Sequence, residues 1–307
     1  MRSNGDRILL TGGAGVLGRA LRPALARAGF EVRVLDRALG SAQDLLTTDL
    51  PRVLNGCAGI LHLAGCSRVA HAEADPESAR RDNVRASAAL LDAALRLPRT
   101  PWFIFTSSRE VYGRPPSLPA TEATPLHPAN VYGTTKAAAE QLVAQARAAG
   151  LRALTLRLAN VYGAPGDHAD RLVPAFLTAA RAGEPLEVRG PRRSLDLLHV
   201  DDAILALLTA ARRLSAGEDL LSPLNLCSGQ EVTLGELAAR VVALTSSASP
   251  IHACQPPHHE VARFVGDNQA ARRALGWEPT VGLDEGLRRL LPLPSTLAAE
   301  PVAEVSP

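Results

Sequence analysis

An α/β fold built on a doubly wound parallel sheet, with a smaller mixed region after it, is predicted from three observations. A short apolar run at residues 7–11 (RILLT) stops at glycines, as a strand buried on both faces does. A glycine turn carrying Gly12, Gly15 and Gly18 then opens a helical segment, and a second run at 31–35 (EVRVL) ends on Asp36. Further apolar runs alternate with helical segments up to residue 156, the pattern of strands joined by crossover helices.

Strand, glycine turn, helix, strand and terminal acid together make a nucleotide-binding βαβ unit, so the sheet is expected to be Rossmann-type. The helix is predicted over 16–28 and ends at Gly29. Gly12 and Gly15 allow a tight turn and let backbone N–H groups approach a pyrophosphate at the positive helix end. Val16 and Leu17, in the first helical turn, join them as candidate cofactor contacts, and Gly18 lets helix and strand pack closely. Asp36 can accept from both ribose hydroxyls, and its charge repels a 2′-phosphate, which favours NAD. Arg37 beside it could receive that phosphate, which keeps NADP in view.

Further strands are predicted at 59–63 (GILHL), 102–106 (WFIFT) and 151–156 (LRALTL), with helices at 76–97 and 131–149. Ligands on such sheets collect beyond the strand C-terminal ends. That placement singles out Asp49, Leu50, Gly65, Thr106, Ser108 and Asn160, whereas His62, inside an apolar run, reads as structural. After residue 163, helices at 172–182, 201–214 and 234–244 are separated by Pro- and Gly-rich connections. The expected division is a dinucleotide-binding domain at 1–164 and a mostly substrate-binding domain at 165–292, some of whose segments return to the first. A Pro-, Ala- and Glu-rich tail at 293–307 is expected to be disordered.

With 307 residues and 46% apolar content the chain can bury a full core, but only 3% of residues are aromatic, so Ala, Leu and Val must build it. A net charge of +2 without a basic run argues against a nucleic-acid partner. No window approaches the length of a membrane span, and the polar residues 1–7 do not read as a signal peptide. The four cysteines lack metal-ligand spacing, so reduced thiols, no metal and a cytoplasmic location are expected.

Tyr132 and Lys136 lie four apart at the start of the 131–149 helix, on one helical face. A lysine ammonium beside a phenol stabilises the phenolate, so the tyrosine could move a proton near neutral pH. Two surface side chains would give the same spacing, so the surroundings decide. In order along the chain come 11–18 (TGGAGVLG), Asp36, Asp49 with Leu50, 62–65 (HLAG) and Asn83 with Val84. They are followed by 105–113 (FTSSREVYG), 132–136 (YGTTK) and 156–163 (LRLANVYG), with weaker echoes at 199–202 (HVDD) and 275–279 (LGWEP).

As a set these motifs resemble the extended short-chain dehydrogenase/reductase family, in its NAD-dependent epimerase/dehydratase branch acting on nucleotide sugars. The resemblance implies that Tyr132 transfers the proton, Lys136 activates it and contacts ribose, and Ser108 binds the hydroxyl being oxidised. It implies cofactor contacts from Asp49 and Leu50 at the adenine and from Leu63, Ala64 and Gly65 along the pyrophosphate and ribose, with Asn83 and Thr106 beside them. Asn160 would face the substrate, with Arg109 near it. Glu110, two residues after Ser108, is the place of a carboxylate in relatives that remove a ring proton or decarboxylate a uronic acid. The 4,6-dehydratases carry an acid pair there, and this chain has Arg109 before Glu110. Family arginines for the diphosphate are missing: Leu195 stands before Asp196, with Arg192 and Arg193 as candidate substitutes, and Pro256 to His259 replace the second, with Arg263 later. The expected activity is redox epimerisation or dehydration of a nucleotide sugar through a transient ketone. The alternatives are an NAD(P)H-dependent ketoreductase on a non-UDP substrate and a non-catalytic dinucleotide sensor. A homodimer is implied, through the 76–97 and 131–149 helices, whose Ala137, Ala138, Ala139, Ala144 and Ala148 suit close packing.

Overall fold

The computed structural model describes residues 6–40, 43–220, 222–256 and 261–291. His258, His259 and the tail expected at 293–307 lie outside the described residues. Strand β1 (Arg7–Thr11) is buried at four of its five positions, as its unbroken apolar run requires. After it come α1 (Val16–Arg27), β2 (Glu31–Leu35), α2 (Leu50–Leu54), β3 (Gly59–His62), α3 (Val69–Ala74) and α4 (Pro76–Arg80). Then follow α5 (Ala86–Leu95), β4 (Trp102–Ser108), α6 (Val131–Ala148) and β5 (Ala153–Leu158). The strand predicted at 102–106 thus continues to Ser108, and the one predicted at 151–156 is shifted two residues along.

The helix expected as one piece over 76–97 is broken by a π-helical turn at Arg81–Arg85. A π turn holds one extra residue and is a frequent feature of functional sites. Here Asn83 lies within it and donates from Nδ2 to Thr135 Oγ1 at 2.8 Å, tying the turn to α6.

Beyond residue 159 the chain forms β6 (Asn160–Tyr162), α7 (Leu172–Ala182), β7 (Leu186–Arg189), β8 (Ser194–His199) and α8 (Val200–Ser215). It continues as β9 (Leu224–Leu226), β10 (Glu231–Thr233), α9 (Leu234–Leu244), β11 (Ile251–Cys254), α10 (Gln269–Leu275) and α11 (Leu283–Arg289). The main sheet has six strands in the order β2-β1-β3-β4-β5-β9, all parallel. From β1 the chain winds outward to β2 and then crosses back to β3. The crevice for a ligand therefore opens beyond the C-terminal ends of β1 and β3.

Two late segments join this sheet. Strand β9 pairs with β5, and α8 packs against α1 beneath β3 and β4. One face of the sheet buries Ile8, Leu10, Leu61 and Ile104 with Leu21 and Leu25 of α1 and Ala203, Ala206 and Ala210 of α8. The other buries Leu9, Ile60, Phe103 and Phe105 with Leu90 and Ala94 of α5 and Ala139 and Val143 of α6. Alternate residues of each strand thus serve opposite layers, and alanine faces let the helices come close, which an aromatic-poor chain needs. Two small sheets, β10-β8-β6 and β11-β7, carry α7, α9 and α11 around a separate core containing Phe176, Leu186, Leu237 and Leu287. Leu195, where a diphosphate arginine was looked for, is a buried member of that core. Among the described residues no helix is long and apolar enough to cross a membrane, and all four cysteines are free thiols.

Candidate active site

The crevice begins at the glycine turn. Gly12 has φ +72°, and a side chain there would sit 2.6 Å from the Ala64 amide nitrogen; one at Gly18 would sit 2.3 Å from the Gly12 carbonyl oxygen. Both positions are thus closed to any residue with a Cβ, and the turn and α1 lie against the β3 exit. Gly15 is the N-cap of α1 and supplies no side chain to its first amides, so these N–H groups and the positive helix end are left for a ligand. Val16 and Leu17 follow half-buried in the first turn.

Asp36 closes the far side. Its Oδ2 accepts from Ala14 N at 2.8 Å and its Oδ1 from Ala38 N at 2.9 Å, so the carboxylate is held in one orientation at the tip of β2. Arg37 pairs with Asp82 at 2.5 Å, with Asp44 at 3.8 Å. A 2′-phosphate would meet the Asp36 carboxylate, while the nearest guanidinium is already engaged. Asp49 caps α2 by accepting from Arg52 N at 3.2 Å, while Leu50 is turned into the core with Leu45 and Leu54.

At the β3 exit, Leu63 and Ala64 are half-buried and Gly65 is exposed. Thr11 Oγ1 accepts from Ala64 N at 3.3 Å and shares a 2.7 Å bond with Nδ1 of His62, whose Nε2 meets Ser87 Oγ at 2.9 Å. His62 is fully buried, and desolvation pushes its pKa down to about 3, so it is a neutral structural residue, as the sequence suggested. Asn83 Oδ1 points beside Gly65, is buried and has no protein partner. A buried carbonyl oxygen without a donor is costly, so this atom marks a place for a ligand donor.

The reactive groups gather at the end of β4. Tyr132 lies beside Ser108, whose Oγ accepts from Glu110 N at 3.2 Å. Burial raises the Tyr132 phenol to about 12; the neighbouring Ser108 hydroxyl opposes this and the Glu110 charge adds to it. Lys136 is buried and pushed down to about 8 by desolvation. Its Nζ donates to the Thr106 carbonyl at 3.0 Å and lies 4.9 Å from the centre of the Phe105 ring. The sequence predicted a lysine poised on the phenol. In this structure the ammonium is turned into the strand, and burial favours the protonated phenol of Tyr132. Thr106 Oγ1 in turn donates to the His62 carbonyl at 3.0 Å, linking β4 to β3.

Glu110 and Arg109 are both buried and pair at 2.6 Å, and Asn130 Nδ2 donates to the second Glu110 oxygen at 2.7 Å. Asn160 stands half-buried at the start of β6 with its Oδ1 unpartnered. Of the substitute arginines, Arg193 donates to the Arg189 and Val261 carbonyls and so braces its own loop. Arg263 pairs with Glu231, and Arg192 is exposed with no side-chain bond among the described residues. The structure therefore brings Ser108, Tyr132, Lys136, Glu110 and Asn83 to one crevice and leaves only Arg192 free among the three arginines. Asn130 went unread in the sequence, although an Asn directly before a helix is a cap signal.

The family profile described as "NAD dependent epimerase/dehydratase family" matches residues 8–222. The chain belongs to that family. It is 30% identical to the UDP-glucose 4-epimerase of Streptomyces lividans over 304 residues, covering 89% of this chain and 92% of the relative. It is also 30% identical to the dTDP-glucose 4,6-dehydratase of Streptomyces niveus, over 92% of this chain and 90% of that one. Among solved structures, MoeE5 in complex with UDP-glucuronic acid and NAD superposes with a TM-score of 0.83 at 29% identity, covering 92% of this chain and 96% of its own. Membership in the NAD dependent epimerase/dehydratase family makes the chain an extended short-chain dehydrogenase/reductase enzyme with NAD as its cofactor. The uncapped α1 end, the fixed Asp36 carboxylate and the orphan Asn83 oxygen fit that group.

Proposed function

We propose that this enzyme epimerises a sugar carried on a nucleoside diphosphate, by oxidising one ring carbinol to a ketone and reducing it again from the opposite face. The observation that carries this reading is the gathering of Tyr132, Ser108 and Lys136 at the C-terminal end of β4, with Lys136 Nζ on the Thr106 carbonyl. When bound, NAD supplies a reversible acceptor and donor of hydride. Tyr132 takes the hydroxyl proton, Ser108 holds the hydroxyl oxygen, and Lys136 supplies buried positive charge along the same strand. Asn160 and Arg192 stand on the substrate side, where Asn160 Oδ1 offers a buried acceptor to a sugar hydroxyl. Once formed, the ketone turns over in the site, and Tyr132 returns the proton to the ketone oxygen as the epimeric alcohol forms.

Support for a nucleotide sugar comes from the relatives, which act on UDP- and dTDP-sugars, and from the match over nearly the whole chain. The test is a panel of UDP-, dTDP- and GDP-sugars given catalytic NAD in deuterated water, read by mass spectrometry. A new stereoisomer of unchanged mass is expected. Loss of water or carbon dioxide, or stoichiometric consumption of NAD(P)H on a ketone without a nucleotide, would replace this reading.

We further propose a cytoplasmic homodimer. Ala144 and Ala148 of α6 are exposed in the single chain, one turn apart, and form a smooth face for a second copy. Light scattering is expected to show a dimer that Ala144→Arg converts to a monomer.

A further inference from the structure

The proposed reaction leaves one buried carboxylate in the same wall without a task. Glu110 is 6% exposed and both its oxygens are engaged: Oε1 forms an ion pair with Arg109 Nη2 at 2.6 Å and Oε2 accepts from Asn130 Nδ2 at 2.7 Å. The other amide atom of Asn130, Oδ1, accepts from Gly133 N at 2.8 Å and so caps α6. The direction of both hydrogen bonds through the Asn130 amide is fixed. A backbone N–H can only donate, so Asn130 must turn its oxygen to Gly133 and its NH₂ to Glu110. Arg109 presents a positive charge, so the residue at 110 must offer an oxygen on both sides, which a carboxylate does and an amide cannot. Gly133 also packs on the Glu110 backbone, since a side chain there would meet the Glu110 carbonyl oxygen at 2.5 Å.

We propose that Glu110 is a positioning residue: through Asn130 it fixes the first turn of α6, and with it the Tyr132 hydroxyl, and it exchanges no proton with the sugar. The proposal rests on Tyr132 as the proton carrier. A carboxylate that removes a ring proton must present an oxygen to it, and both oxygens here face protein donors. Arg109 is what separates the two uses of this position. An acid at 109 would leave Glu110 Oε1 free to face a substrate, whereas the guanidinium, stacked 5.6 Å from the Phe264 ring, claims it.

The test compares Glu110→Gln, Asn130→Asp and the double variant. In Glu110→Gln the new amide gives its oxygen to Arg109 and opposes its NH₂ to that of Asn130, so Asn130 flips and the cap on Gly133 is lost. In Asn130→Asp two carboxylates face each other. The double variant restores the links to position 110 and Gly133 with the charge moved one link along: the new amide donates to the new carboxylate, which still accepts from Gly133 N.

With UDP-glucose or UDP-glucuronic acid as the probe, each single variant is expected to lose ~10- to 100-fold in kcat with KM little changed, the scale of a small misplacement of reacting groups. The double variant is expected to recover most of that loss with the wild-type pH profile. A double variant as inactive as Glu110→Gln, or solvent deuterium entering a ring carbon of the wild-type product, would overturn the proposal. Hydrogen exchange of the 129–136 peptide gives a readout independent of substrate. It should quicken in Glu110→Gln and slow again in the double, and unchanged exchange in the single variant counts against the proposal. Tyr132→Phe, run alongside, reports on the underlying reading: full activity there removes it whatever the Glu110 series shows.

Discussion

At the scale of single residues, burial sets the chemistry of the reactive pair. Tyr132 is held protonated by desolvation, so it can serve both as proton donor to a ketone and, once positive charge is close, as acceptor from an alcohol. Tyr132→Phe is expected to lower kcat by about 10²–10⁴-fold while NAD binding, followed by calorimetry, stays within a few-fold. Lys136 bears the opposite strain, a cation kept out of water. Its pKa of about 8 in the folded chain lies below the ordinary 10.5, so between these pH values the unfolded chain holds a proton that the folded one has released. The penalty that Lys136 places on stability therefore shrinks as pH rises across that window, and below pH 8 the whole penalty is present. A tenfold loss of proton affinity on folding corresponds to roughly 1.4 kcal/mol. Lys136→Met is therefore expected to be inactive yet more stable by about 1–3 kcal/mol at pH 7. Urea melts should show the advantage shrinking above pH 8, and a variant no more stable than the native enzyme at pH 7 would contradict this account.

At the scale of elements, α6 is pinned at both ends of its active turn. Asn130 and Glu110 hold its start, and eight residues beyond Tyr132 the Glu140 carboxylate takes three bonds from Arg157 of β5, at 2.7 to 3.1 Å. Arg157 also donates to Tyr112 Oη at 2.9 Å, and that hydroxyl donates to Asn225 Oδ1 at 2.6 Å, carrying the tie on to the residues of β9. Removing one partner strands a buried charge, so Arg157→Ala should cost about 3–5 kcal/mol. Replacing both, as Arg157→Met with Glu140→Leu, should recover most of that loss in urea denaturation. A double variant as unstable as the single would show that the helix needs the ion pair itself. This network explains what the sequence showed and what it hid. The βαβ unit, the Tyr132 helix and the strand ends were readable because glycines, periodicity and caps are local signals. The π turn was hidden because it depends on Asn83 reaching Thr135 on another helix. The direction of Lys136 was hidden because it depends on a carbonyl of β4 that spacing along α6 cannot reveal.

At the scale of the whole molecule, the sheet and the last third of the chain share one interior. Trp102 of β4 donates to Ser215 Oγ at 3.1 Å, Trp277 donates to the Asp202 carbonyl at 3.0 Å, and both belong to the core that holds Ile8 and Leu226. Strand β9 could not be foreseen: three residues, LNL, carry no pattern, and the partner β5 lies far back in the chain. Asp196 does similar work in the smaller region, accepting from Ser228 N, Ser228 Oγ, Gly229 N and Gly266 N at 2.7 to 3.2 Å while fully buried. Tryptophan fluorescence and far-UV circular dichroism are therefore expected to report one coincident urea transition. Separate midpoints would mean that the smaller core, which contains no tryptophan, melts on its own.

The grip of Asp36 on two backbone amides bears on how this lineage can change. The same carboxylate that would meet a ribose also holds Ala14, and so the glycine turn, in place. A single replacement that welcomed a phosphorylated coenzyme would leave both amides bare and slacken the cradle for either dinucleotide. A switch of coenzyme must therefore pass through a poor intermediate, or begin with a second change that re-anchors the turn. An engineer faces the same order of operations, and should secure Ala14 before touching Asp36.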